Sequence, residues 1–109
     1  MEPRLPAHLE VAGLIRCVEA EGGFATVLNK GERDAGTIMI VLTEKGENTR
    51  VYERMPQLDG TRSWCCSKRQ DADNTAEITA YVERRSSQDP DLWVIELDIA
   101  EGERFIGLS

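Results

Sequence analysis

What this sequence has little of narrows it before any motif does. Its 109 residues include three cysteines, one histidine, two tryptophans, two tyrosines and two phenylalanines. A small, odd cysteine count gives no disulfide framework. Without paired Cys or His motifs there is no structural zinc site, which needs four such ligands at set spacings. Positive charge is short as well: 13 Lys and Arg stand against 20 Asp and Glu, a net of −7. That deficit opposes nucleic-acid and anionic-membrane binding, which depend on Lys and Arg neutralising phosphates. The longest apolar run, residues 38–42, is a strand's worth, against about 20 residues for a bilayer span. Residues 1–4 lack the apolar core of a signal peptide. These absences lead us to expect a cytoplasmic protein with no membrane, metal or cofactor attached. The length, 1–109, suits a single domain with a core large enough to need no staple.

What is present reads as alternating short elements. Pro6 suits the first position of a helix, and Val11, Leu14, Ile15 and Val18 follow at i, i+3, i+4, i+7, one apolar stripe of an amphipathic helix. Gly22 and Gly23 end it. Residues 24–28 read as a strand. Residues 37–43 are the strongest strand, apolar on both faces and therefore placed in the middle of a sheet with both faces covered. Residues 49–55 and 61–68 give two more strands. Asn74 with Glu77 three positions on marks a capping box for a second helix, ended by Asp89-Pro90. Residues 92–99 form the last strand, with Trp93, Ile95, Leu97 and Ile99 on one face, and Phe105 and Ile106 tuck the tail back onto the body. The order is α-β-β-β-β-α-β. Short connections among the first four strands favour antiparallel hairpins. The reading is an α+β domain: a mainly antiparallel five-stranded sheet with both helices on one face.

The segments MEPRLPAHLEVAGLIR, GGFATVL…KGERDAGTI, YERMPQLDGTRSW and DPDLWVIELDIAEGERFI resemble a family of small bacterial proteins catalogued only as a domain of unknown function. The resemblance covers nearly the whole chain and implies a stand-alone bacterial protein. It brings no activity, cofactor or catalytic residue, so function rests on the side chains.

No phosphate-cradling glycine motif, nucleophile elbow or metal helix is found, and no catalytic residue is assigned. His8, the one histidine, reads as a capping or edge-packing residue, since nothing local completes a triad. Cys65 and Cys66 point to opposite faces of their strand, and with Cys17 they read as small semi-buried hydrophobes. The loop Glu32, Arg33, Asp34 is hinged by Gly31 and Gly36, read as glycines that permit positive φ. Two acids around an arginine there could contribute to a site.

The strongest candidate is the even-numbered face of the third and fourth strands. Arg50, Tyr52 and Arg54 share one face of one strand; Arg62, Trp64 and Lys68 share one face of the next. With Tyr52 opposite Trp64 the two sets meet, and a slip of one residue scatters them. Residues 50–69 carry Arg50, Arg54, Arg62, Lys68 and Arg69 against Glu53 and Asp59, a net of +3 inside an acidic chain. Trp, Tyr and Arg dominate binding hot spots. The expectation is therefore a non-enzymatic binding or adaptor protein that meets a protein partner or a second copy of itself through Arg50, Tyr52, Arg54, Arg62 and Trp64. The alternative is a small anionic-ligand or minor enzyme site built from Arg54, Arg62 and the Glu32/Asp34 loop.

Overall fold

The computed structural model describes residues 5–71 and 73–108. In chain order these form α1 (Ala7–Ala20), β1 (Phe24–Asn29), β2 (Ile38–Glu44), β3 (Glu47–Pro56), β4 (Arg62–Arg69), α2 (Thr75–Gln88), β5 (Trp93–Asp98) and a C-terminal 3-10 helix (Gly102–Ile106). The expected order and α+β class are observed, with the tail folded back as that 3-10 helix. Residues 1–4, read above as lacking a signal peptide's core, lie outside the described residues. Among the described residues no helix is long and apolar enough to cross a membrane.

Pro6 stands just outside α1, at φ −54° and ψ 142°. The first free N–H groups of the helix are met by the loop before β2: Ala7 N–H donates to the Asp34 carbonyl at 3.0 Å and His8 N–H to that of Arg33 at 2.9 Å. Gly22, at φ +86°, ends the helix in the left-handed region. The capping box expected at α2 is not formed. The Asn74 side chain accepts from Asp71 N–H at 2.8 Å and donates to the Arg69 carbonyl at 2.9 Å. Glu77 reaches Lys68 instead, at 3.2 Å.

The sheet runs β1-β5-β2-β3-β4. Strands β2–β3 and β3–β4 are the expected antiparallel hairpins, but β1 and β2 do not pair. Strand β5 lies between them, antiparallel to β1 and parallel to β2, so the sheet is mixed. The segment between β1 and β2 must therefore step across the start of β5. It is fastened there by Glu32 N–H to the Asp91 carbonyl (3.0 Å) and by Trp93 N–H to the Thr37 carbonyl (2.8 Å). The Trp93 indole also donates to the Glu32 carbonyl, at 2.7 Å. A Cβ on Gly31 would sit 2.1 Å from the Asp91 carbonyl oxygen, and one on Gly36 would sit 2.4 Å from it. Neither glycine is among those with positive φ, namely Gly22, Gly46, Gly60 and Gly107. They are required for closeness, not for turning.

The two helices cover opposite faces, which corrects the expectation that they share one. Ile38, Ile40 and Leu42 of β2 join Val11 and Val18 of α1, with Ile95 and Leu97, in one cluster. Met39 and Val41 join Val51, Val94 and Ile78 of α2 in the other. Two constraints impose this. Strand β2 is apolar on both sides, and α2 must carry the chain from the edge strand β4 across the sheet to β5, over the face α1 leaves open. The mid-sheet position read for β2 is as observed, with residues 38–43 all buried.

Since the Asp91 backbone has no freedom to retreat, Gly31→Ala and Gly36→Ala should each lower unfolding stability by about 1–3 kcal/mol. Gly13 of α1, where an added Cβ meets nothing within 4 Å, is the contrast: Gly13→Ala should raise stability by about 0.5–1 kcal/mol. Urea denaturation of the three variants checks both signs.

Candidate functional site

Strand β4 pairs with β3 in a register two residues from the one considered: Arg54 stands opposite Trp64 and Tyr52 opposite Cys66. An even offset preserves the face, so Arg50, Tyr52, Arg54 and Trp64 lie together on the α1 side of the sheet. A bulge breaks the ladder between the Val51–Lys68 and Tyr52–Cys66 pairs. It turns Lys68 away from the Trp64 face to which the alternation assigned it. Its ammonium lies instead 5.3 Å from the centre of the Tyr81 ring on α2. Arg62 begins β4, opposite Pro56.

The inner half of this surface is sealed. Arg50 is 2% exposed. It donates to both oxygens of Glu103, through Nε at 2.9 Å and Nη2 at 2.5 Å, and through Nη1 to Glu44 at 3.1 Å and the Asn48 carbonyl at 2.7 Å. Tyr52 Oη donates to Glu103 at 3.1 Å. Burial opposes the charge on Arg50, but the hydrogen bond and field of Glu103 outweigh it and its pKa is raised. Burial and the Glu103 contact likewise raise the Tyr52 phenol. The Arg50 hydrogen bond holds the Glu103 carboxyl at about 2, against an ordinary 4.5.

The outer half is partly buried. The Arg54 guanidinium lies 4.7 Å from the centre of the Trp64 ring and pairs with Glu10 of α1 at 2.8 Å. Among the described residues, Arg54 Nε is the buried side-chain nitrogen or oxygen that has no hydrogen-bond partner. Beside it a largely apolar cleft of about 610 Å³ runs under α1, walled by Leu9, Leu14, Ile38, Ile40, Trp64 and Phe105. Gly13 leaves a gap in the helix above it. Cys17 also lines this cleft and is exposed, as is Cys66, whereas Cys65 is half-buried; all three are free thiols.

The Glu32–Asp34 loop is mostly occupied by the fold. Its backbone meets the start of α1 and the Trp93 indole, and the Glu32 carboxylate accepts from the N–H groups of Asp34 (2.9 Å) and Ala35. His8 Nδ1 contacts the Arg33 carbonyl at 3.0 Å, the edge role expected of it. Asp34 and Gly36 do meet Arg54, around a notch of about 220 Å³; Arg62 is not among its lining residues. Among the described residues no group of three or more His, Cys, Asp or Glu could hold a metal.

One cluster is barely legible in the sequence. Glu53, facing α2, is 6% exposed. Its carboxylate accepts from Ser67 Oγ at 2.5 Å, from the Tyr81 hydroxyl, and from Arg85 Nε and Nη2 at 3.1 and 2.9 Å. Burial would raise its pKa, but these donors prevail and lower it. The partners come from β4 and α2, at sequence distances no spacing rule reaches. A charged residue at an inward position of β3 was the only available hint.

The family described as "Protein of unknown function (DUF1491)" has a model that matches residues 5–107. A crystal structure of a DUF1491 family protein from Caulobacter crescentus CB15 is similar at 33% identity and a TM-score of 0.83, covering 96% of this chain and 97% of that one. An NMR structure of a DUF1491 family protein from the same organism is similar at 33% identity and a TM-score of 0.80, covering 95% and 94%. The solution structure of Atu0922 from A. tumefaciens is similar at 32% identity and a TM-score of 0.72, covering 91% and 89%. No curated protein matches.

The depressed Glu103 pKa fixes a pH dependence. Its stabilisation is complete above about pH 4.5 and is lost as pH falls toward about 2; the amount is on the order of 3 kcal/mol. Denaturation midpoints followed down that window should fall more steeply for the native chain than for Glu103→Gln, which starts less stable and loses less.

Proposed function

The chain belongs to the DUF1491 family, of unknown function, and on that premise we propose that it is a non-enzymatic binding protein that docks a partner polypeptide through the outer Arg54–Trp64 half of its basic-aromatic face. The Arg54 guanidinium stacked on Trp64, whose ring walls the apolar cleft, carries this reading. A partner's carboxylate would pair with that guanidinium while its apolar side chains enter the cleft. Arg50 and Tyr52 serve as the rigid floor behind that contact, not as the contact itself.

The cleft's acids do not resemble catalytic ones. Glu10 is paired with Arg54, and Glu21 with Arg104 at 2.7 Å. Both acids line the cleft, Glu10 from α1 and Glu21 from the residue that ends it. Eleven residues apart on a helix, they are separated by roughly 16 Å, the length of about five extended residues. The occupant that fits is a short extended segment with apolar side chains and an acidic residue for Arg54.

A random-peptide library displayed on phage and selected on the native chain tests this. The expected enrichment is peptides combining apolar and acidic positions, bound about tenfold or more weakly by Trp64→Ala, by Arg54→Ala and by Gly13→Leu. The last variant fills the cleft from a helix position that favours any side chain over glycine, so its melting temperature should be kept or raised. Absence of enrichment, or peptides indifferent to Gly13→Leu, would refute the site.

A further inference from the structure

On the α2 side of the sheet a second groove, of about 690 Å³, lies between the helix and the strands. Its volume falls within the roughly 300–1,000 Å³ usual for small-molecule sites. The floor is apolar, with Val41 of β2 packed against Ile78 and Val82 of α2. One wall is a stripe of α2 that carries Thr75, Thr79, Glu83 and Ser86 on successive turns. From Thr75 to Ser87 this wall is about 18 Å long. The other wall is β1, where a bulge between Val27 and Asn29 leaves Leu28 without a partner on β5. Both Leu28 and Asn29 reach the groove, the kind of re-aiming that a bulge allows.

The polar lining is one-sided. Among the described residues no Lys, Arg or His lines the groove. Glu83 enters from α2 and Glu96 from β5, beside Val41 in the parallel ladder. Neither carboxylate has a hydrogen-bond or ion-pair partner among the described residues. In the cleft under α1, by contrast, Glu10 and Glu21 are each paired with an arginine. The Asn29 amide already donates to the Leu92 carbonyl at 2.7 Å, and the Thr79 hydroxyl to the Thr75 carbonyl at 3.2 Å. Their oxygens remain to accept. A ligand for this groove must therefore bring positive charge and N–H donors, together with enough aliphatic surface to cover the floor.

We propose that this groove binds a linear aliphatic polyamine, with ammonium groups on Glu96 and Glu83 and methylene chain over Val41, Ile78 and Val82. Ammonium–carboxylate contacts are charge-assisted hydrogen bonds, the strong kind, and the methylenes leave water for an apolar surface. A bare metal ion would use neither the floor nor the length of the groove. The site is independent of the Arg54–Trp64 cleft, from which the sheet separates it.

Isothermal titration calorimetry of the native chain with spermidine tests this at low ionic strength, where charge pairing is least screened. One site is expected. Glu96→Gln and Glu83→Gln should each weaken it about tenfold, and since neither carboxylate has a partner to lose, the melting temperature should stay unchanged. Thr79→Leu fills the groove from an exposed position of α2 with a better helix former, and should abolish binding with stability kept or raised. Two controls separate the site from the general acidity of the chain and from the cleft under α1. Glu19→Gln, at an exposed acid of α1, and Trp64→Ala should both leave spermidine binding unchanged. Absent binding, binding that survives Thr79→Leu, or an equal loss with Glu19→Gln would overturn the proposal. So would tighter binding of trilysine than of spermidine, which would assign the groove to the basic side chains of a polypeptide.

Discussion

Strand β5 is hydrogen-bonded to β1 on one side and to β2 on the other, and those two ladders constrain nearly everything else in the molecule. A parallel neighbour for β2 cannot be reached by a tight turn, so the chain crosses the sheet from β4, and α2 is the element that crosses. Covering that face commits α1 to the opposite one. The segment joining β1 to β2, which in a hairpin could be any polar turn, must instead pass over the start of β5 at backbone contact distance. Its carbonyls then serve the first turn of α1. A loop that reads as a flexible, charged candidate site is in this way drawn into holding a helix, a strand and an indole.

Much of this was readable. The strand positions, the apolar stripe of α1 and the double-sided burial of residues 38–43 follow from periodicity, because side-chain direction repeats with fixed geometry. The tail's return was legible in Phe105 and Ile106. What was not legible is pairing. Nothing in residues 92–99 says which strands they separate, and two short connections look alike whether or not a third strand passes beneath one of them. A strand apolar on both sides nevertheless needs cover on both sides, which the sequence alone sets against both helices sharing a face. At Gly31 and Gly36 local chemistry suggests glycines that permit positive φ, and only the fold reveals a carbonyl where a methyl would be.

The basic stretch between Arg50 and Arg69 was likewise visible, but its counter-charges were not. Two arginines on the α1 face that look available in one dimension are met by acids from far along the chain: Arg50 by Glu103, Arg54 by Glu10. On the other face the roles reverse, and the buried acid Glu53 is met by Arg85 of α2. The sheet is therefore clamped by ion pairs to each of its coverings, to α1 and the 3-10 helix through β3 and to α2 through both β3 and β4. Breaking a buried pair leaves an uncompensated charge, so these clamps hold the coverings in a single position as well as stabilising the fold. Helix α2 depends on its clamp most, because Ile78 is its one buried residue among those described.

The late position of β5 has a consequence for how the chain comes to be folded. Until residues 93–98 have been synthesised, β1 has no partner and β2 presents one full side of its backbone to whatever is nearby. The strands made first are thus the ones that wait longest, and the most apolar of them, Ile38 to Thr43, waits with an open flank. Early intermediates can contain the β2–β3–β4 meander, which is local, but not the middle of the native sheet. Strand β5, made after the other four, closes the sheet, and until it is in place the unpaired backbone of β1 and β2 is exposed to aggregation.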